Sequence, residues 1–171
     1  MRQPAIAVDT AFAAMSCEAE SHNVSPVTLL ATDYLNHFNE VVMLLEMLPM
    51  APECAEDVRS WRPKSYVQHF RDSAFTDRDF AIHAYDAAPA EYRQPFDKTV
   101  EALNGQIAAA VAECCALAEA GDMTALERAT ALHVPLLHAT TERASALIHG
   151  NIEVDVAAAD AQAAIDALFD D

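Results

Sequence analysis

Three polar side chains spaced one helical turn apart are the first place in this sequence where chemistry could be done. In Asp97-x-x-x-Glu101-x-x-Asn104, steps of four and three put two carboxylates and a carboxamide on one stripe of a helix. A rigidly held acid and amide can engage a cation and orient a water molecule for in-line attack. Asp33-x-x-Asn36 repeats the acid and amide spacing, and His37 and Glu40 extend that second group. Asp33, His37 and Glu40 together offer the donor types of a metal or small-ligand site. A single helix supplies about two or three ligands, and bundle metal sites draw Glu-x-x-His pairs from facing helices. No Glu-x-x-His occurs in this chain. A solvated helix face is the alternative reading of both groups.

The other reactive residue types are scattered. His133 and His138 lie about 140° apart around a helix and cannot share a face. His138, Glu142, Ser145 and His149 do share one, but over about 16 Å, too long for one site. Cys17, Cys54, Cys114 and Cys115 show no metal-ligand pairing and read as reduced thiols filling the core of a cytosolic protein. Arg59, Arg62, Lys64 and Arg71 are four of only ten bases. Their clustering fits either an anion site or, preferably, bridges to acids on neighbouring helices. No Gly-rich phosphate loop and no nucleophile elbow is present.

At the C-terminal end, Asp160 to Phe169 places Ala161, Ile165, Leu168 and Phe169 on one side of a helix, with Gln162 and Asp166 facing away. A helix of about 12 residues is marginal alone and needs a surface to fold against. No Lys or Arg occurs from Asn151 to Asp171, so residues 150–159 read as an acidic linker and 160–171 as a docking helix. Gln162-Ala163-Ala164-Ile165-Asp166-Ala167-Leu168 resembles the peptide by which the flagellar switch protein FliM captures the response regulator CheY. It is also similar to the C-terminal helix of the chemotaxis phosphatase CheZ, which lies beyond a helical hairpin and a linker. The resemblance implies a CheY-like receiver domain as partner, with Gln162, Ile165, Asp166, Leu168 and Phe169 in contact with it. It also raises the expectation of receiver dephosphorylation. The Asp-x-x-x-Gln pair of CheZ is absent, but Glu101-x-x-Asn104 resembles the acid and amide pair of the CheC and CheX receiver phosphatases, which makes Glu101 and Asn104 the candidate catalytic residues.

Composition sets the bounds. The 171 residues suit one domain, 27 acids against 10 bases leave a formal charge of −17, and hydrophobic residues reach 53% with only 3 Gly. Nucleic acid and anionic membrane surfaces repel such a chain, and a basic protein patch attracts it. No apolar run of the length of a membrane span is evident, no secretory signal is expected, and no cofactor motif appears.

Several elements must position these residues. Residues 1–24 read as a loosely attached arm. Ser25-Pro26 opens a helix that ends at Leu48 before Pro49, with Val27, Leu30, Tyr34, Phe38, Val41, Leu45 and Leu48 inward. Short helices follow from Pro52 to Trp61, from a Ser65 cap, and from a Thr76-x-x-Asp79 cap, with Trp61, Tyr66 and Phe70 sealing one end of the bundle. Pro95 to Ala120 carries a heptad seam of Phe96, Val100, Leu103, Ile107, Val111, Cys114 and Leu117. Gly121 ends that helix, Asp122 or Thr124 caps the next, and a kink is expected at Pro135 before the stop at Gly150. The prediction is an all-α antiparallel bundle of about four main helices over residues 25–149, with short inserted helices and a tethered C-terminal helix. A structural bundle without enzymatic activity, dimeric through the apolar half of its first helix or the hairpin seam, is the alternative function.

Overall fold

The computed structural model describes the backbone of residues 5–151 and side chains from Thr10 onward. The receiver-docking residues Gln162, Ile165, Asp166, Leu168 and Phe169 lie outside the described residues. Within them the fold is all-α, with seven α-helices and no strand. These are α1 (Ala5–Ala19), α2 (Asn36–Met47), α3 (Ala55–Ser60), α4 (Tyr66–Asp72), α5 (Arg78–Ala87), α6 (Ala90–Ala120) and α7 (Met123–Ile148). Single 3-10 turns at Glu20–His22, Thr32–Leu35 and Pro52–Cys54 lead into or out of them.

The hairpin of α6 and α7 is the frame. Gly121 sits at φ 70 and closes α6 with hydrogen bonds to the Leu117 and Ala118 carbonyls, a left-handed cap that costs glycine little. Asp122, rather than Thr124, then caps α7 by accepting from the Ala125 N–H at 3.0 Å. With so short a connection the two helices must lie antiparallel. α2 packs against both, and these three helices enclose the centre of the core. Phe38 and Leu45 from α2, Phe96, Leu103 and Ile107 from α6, and Leu126 and Leu137 from α7 are fully buried. Each such side chain contributes about 1.5–3 kcal/mol of transfer free energy. α7 runs on through Pro135 to Ile148. One 18-residue window of α6 reaches mean hydropathy 1.2, enough to cross a membrane by length and composition; in the fold the helix spends its seam on this core.

Four features differ from the sequence-based expectation. Residues 5–24 are not a loose arm. Phe12 and Met15 pack on the core, Ala19 and Val24 are buried, and α1 lies on α5. His22 fastens this segment, stacking on Phe80 at 4.2 Å while its Nδ1 meets Asp77 Oδ1 at 2.8 Å. Asp77 therefore uses its carboxylate across the fold and makes no side-chain cap on α5. The helix expected from Ser25 begins only after Ala31. Residues 25–31 instead form a plug in which Ser25 N–H donates to the Leu30 carbonyl and Thr28 Oγ1 donates to the Ile148 carbonyl at 2.6 Å. Leu29 takes φ 57, a left-handed conformation costly for a residue with a branched side chain and held here by complete burial of Thr28, Leu29 and Leu30. Val27, expected inward, is 48% exposed as a result. Finally, α6 starts at Ala90 and passes through Pro95, so Pro89 is its boundary.

Candidate functional site

The concavity that gathers Asp97, Glu101 and Asn104 lies where the loop between α3 and α4 faces α5 and α6. Its position follows from how the loop is pinned. Pro63 breaks the helix, so residues 61–64 cross the surface without backbone–backbone hydrogen bonds among themselves, and α2 with its preceding turn supplies partners. Trp61 Nε1 donates to the His37 carbonyl at 3.0 Å, Lys64 N–H donates to His37 Nε2 at 3.0 Å, and Tyr34 Oη donates to the Lys64 carbonyl at 2.7 Å. The His37 ring stacks on Trp61 at 4.8 Å. Burial pushes His37 down to about 4, helped by the neighbouring charges of His69 and Lys64, so the ring is neutral and accepts the Lys64 N–H. Ser65 then caps α4, accepting from Gln68 N–H at 3.2 Å, and Tyr66 Oη accepts from Ala31 N–H at 2.9 Å.

Beyond this clamp opens a cleft of about 370 Å³. Pro63, Tyr66, Phe96 and Val100 are among its apolar walls; Asp97, Glu101 and Asn104 line it from α6. The rings beneath are tightly interlocked: Tyr66 stacks on Tyr85 at 4.6 Å, and Tyr34 meets Tyr66 at 5.2 Å and Phe96 at 6.1 Å. Tyr85 Oη donates to Asp97 Oδ1 at 2.8 Å. Burial raises the Asp97 carboxyl above the usual carboxylate range, opposed by the Tyr85 hydrogen bond and the Arg93 charge. Burial pushes Tyr85 up to about 12, and Asp97 adds to that shift. Asn104 Oδ1 is buried without a hydrogen-bond partner.

Of the two acid and amide pairs read from the sequence, one is spent. Asn36 Nδ2 donates to Asp33 Oδ1 at 3.1 Å, and Asp33 Oδ2 meets His69 Nε2 at 3.2 Å. Glu101 and Asn104 make no such bonds and face the cleft. The metal reading of Asp33, His37 and Glu40 is corrected: His37 turns inward, its Nε2 lone pair taken by Lys64 N–H, while Glu40 is exposed. Among the described residues no three His, Cys, Asp or Glu side chains are placed to hold a metal ion. Two of the four clustered bases are bridged to acids, while Arg62 donates to the Arg59 and Trp61 carbonyls. Arg59 meets Glu119 at 2.6 Å and Lys64 meets Asp72 at 3.1 Å. His133 pairs with Glu113 and His138 with Glu46, each at 2.8 Å, on different sides of α7.

Sequence reasoning found the α6 side of the cleft and missed the aromatic side. Tyr34 and Tyr66 are buried, as the core stripe and the end seal require, and their rings also floor the cleft. The usable signal was the segment Trp61-Arg62-Pro63-Lys64-Ser65-Tyr66, in which a proline-broken loop is flanked by aromatics. No family model, no curated protein and no solved structure matches this chain.

Proposed function

We propose that this chain is a signalling regulator that binds a CheY-like receiver domain through its C-terminal segment. Ile165, Leu168 and Phe169 fill an apolar groove on the receiver, and Gln162 and Asp166 meet its polar rim. The observation that carries this reading is the spacing Gln162-x-x-Ile165-Asp166-x-Leu168 within twenty-one residues that contain no base. α7 ends at Ile148, Gly150 just beyond it has φ 87, and eleven chain steps lead from Asn151 to Gln162, a reach of at most about 40 Å. The net charge of −17 favours encounter with a basic partner surface. Removal of residues 158–171 abolishes receiver binding in calorimetry; unchanged affinity refutes the docking role.

Dephosphorylation of the bound receiver is an extension supported by the unspent pair Glu101 and Asn104, which α6 holds rigidly at the cleft. Its measurement is the lifetime of the receiver phosphate with wild type, with Asn104→Ala, and with Asn36→Ala as the already satisfied control. No acceleration by the wild type ends this extension.

One observation favours a second reading, the structural dimer. Met43 and Met47, one turn apart on α2, and Met50 beyond it are 61%, 43% and 85% exposed. Sedimentation of wild type against Met43→Lys with Met47→Lys separates the two: a dimer that dissociates in the variant supports a structural role.

A further inference from the structure

We infer that the cleft between the 61–66 loop, α5 and α6 binds a small organic ammonium ion with a short apolar body. This goes beyond receiver docking, which runs through residues 162–169. It shares Glu101 and Asn104 with the hydrolytic extension and is measured with no receiver present.

The argument counts which polar groups at the cleft are already committed. Lys64 is the one cation among the lining residues, and its ammonium group is drawn to Asp72 at 3.1 Å. The hydroxyl protons of Tyr34 and Tyr85 go to the Lys64 carbonyl and to Asp97 Oδ1. What is left over is negative charge and a buried acceptor, namely Asp97 Oδ2, the carboxylate of Glu101 and the Asn104 Oδ1 that has no partner, beside the neutral donors of Ser65, Tyr66 and the Asn104 amide. No ion pair is formed by Asp97 or Glu101 among the described residues, and Arg93 spends one guanidinium nitrogen on the carbonyls of Tyr85 and Asp86. Two exposed carboxyl groups and a buried amide oxygen without a partner therefore line a pocket whose one lining cation is already paired, and the unmet Asn104 Oδ1 is costly.

The complement is a group that brings positive charge and several N–H donors together. A primary ammonium has three donors and no acceptor, which matches this set. An anion would meet the like charge of Asp97 and Glu101, with only neutral hydroxyl and amide donors and an already paired Lys64 to offset it. The cleft also specifies what the cation must carry. Pro63, Phe96 and Val100 offer apolar contact, and about 370 Å³ is at the small end of ligand pockets, room for a short aliphatic chain. A bare metal ion would gain nothing from those walls. The −17 charge of the chain raises the local concentration of any cation but cannot by itself select this site.

The experiment is isothermal calorimetry on the full chain at about pH 8, where free amines and carboxylates hold opposite charges. The probes are butylammonium, tetramethylammonium as a cation without N–H donors, and butanoate as the anion of matching size. Butylammonium is expected to bind saturably, tetramethylammonium more weakly, and butanoate not at all. Asp97→Asn and Glu101→Gln each weaken butylammonium by roughly tenfold or more, as loss of a charged hydrogen-bond acceptor requires. Val100→Trp, which fills the cleft, abolishes binding. Glu53→Gln, an exposed acid away from the cleft, leaves it unchanged. Should Asp97→Asn fail to fold, the exposed Glu101→Gln carries the same test. Three outcomes overturn the inference: no saturable binding of either cation, equal affinity in wild type and Glu101→Gln, or as large a loss in Glu53→Gln, which would trace the heat to general charge attraction.

Discussion

Lowering the pH from about 7 to about 4.5 should cost this fold about 2 kcal/mol through His37 alone. His37 is 7% exposed, accepts the Lys64 N–H, and stacks on Trp61. Its ionisation is pushed down from 6.5 to about 4, chiefly by burial. The sign follows from proton counting. Above pH 6.5 the ring is neutral in both folded and unfolded chains and contributes no pH dependence. Between 6.5 and about 4 the unfolded chain binds a proton that the folded chain refuses, so stability falls as pH falls, at up to about 1.4 kcal/mol per pH unit. Below about 4 both states are protonated and the loss is complete. Carboxyl groups titrate nearby, with Asp72 held below its ordinary range by Lys64 and Asp97 held above it by burial, so wild type alone cannot isolate the histidine. The comparison is His37→Gln, whose amide oxygen can take over the Lys64 N–H without titrating. Urea unfolding followed by circular dichroism, with slopes of about 1–3 kcal/mol per molar, resolves a difference of this size. The variant should lose about 2 kcal/mol less than wild type between the two pH values. Parallel losses, within about 0.5 kcal/mol, would refute the claim that a buried neutral imidazole clamps the loop.

Three further outcomes are expected. Gly150→Ala should cost more than Gly121→Ala in thermal unfolding, by about 1 kcal/mol; both have positive φ, but a Cβ at 150 lies 3.1 Å from Val27 Cγ1 while one at 121 meets open space. Leu103→Ala should destabilise the fold by about 2–5 kcal/mol in denaturant titration, since Leu103 is fully buried in the α6 seam and the hairpin cannot collapse around the cavity. Under native conditions a thiol reagent should modify exposed Cys17 first and Cys54 more slowly. Cys114 and Cys115 should react only on unfolding, because both are buried and burial pushes the Cys114 thiol up to about 11.

The helical class, the αα-hairpin and most helix ends were legible in the chain because they depend on near neighbours. Pro49, Pro63 and Pro89 bar helix on one side, Ser65 supplies an oxygen to its own first turn, and Gly121 and Gly150 accept positive φ. The α6 seam was legible for the same reason: its period survives in any environment that offers an apolar surface. The stripe Asp97, Glu101 and Asn104 could be read as a stripe, though not as one wall of a cleft.

Tertiary structure alone decided the rest. Ser25-Pro26 is a sound local helix start, yet Thr28 gains more from the Ile148 carbonyl, 120 residues away, and Leu29 is driven left-handed to stay buried. His37 has the sequence surroundings of a solvated face and becomes a buried acceptor because a loop that Pro63 keeps from helix brings it an unpaired N–H. Asp33 and Asn36 satisfy one another, whereas Glu101 and Asn104, at the same spacing, face empty volume. Local preference, worth about a kilocalorie, marks where most helices stop, but whether a start such as Ser25-Pro26 is used and which polar groups remain unsatisfied depend on what the rest of the chain brings against them.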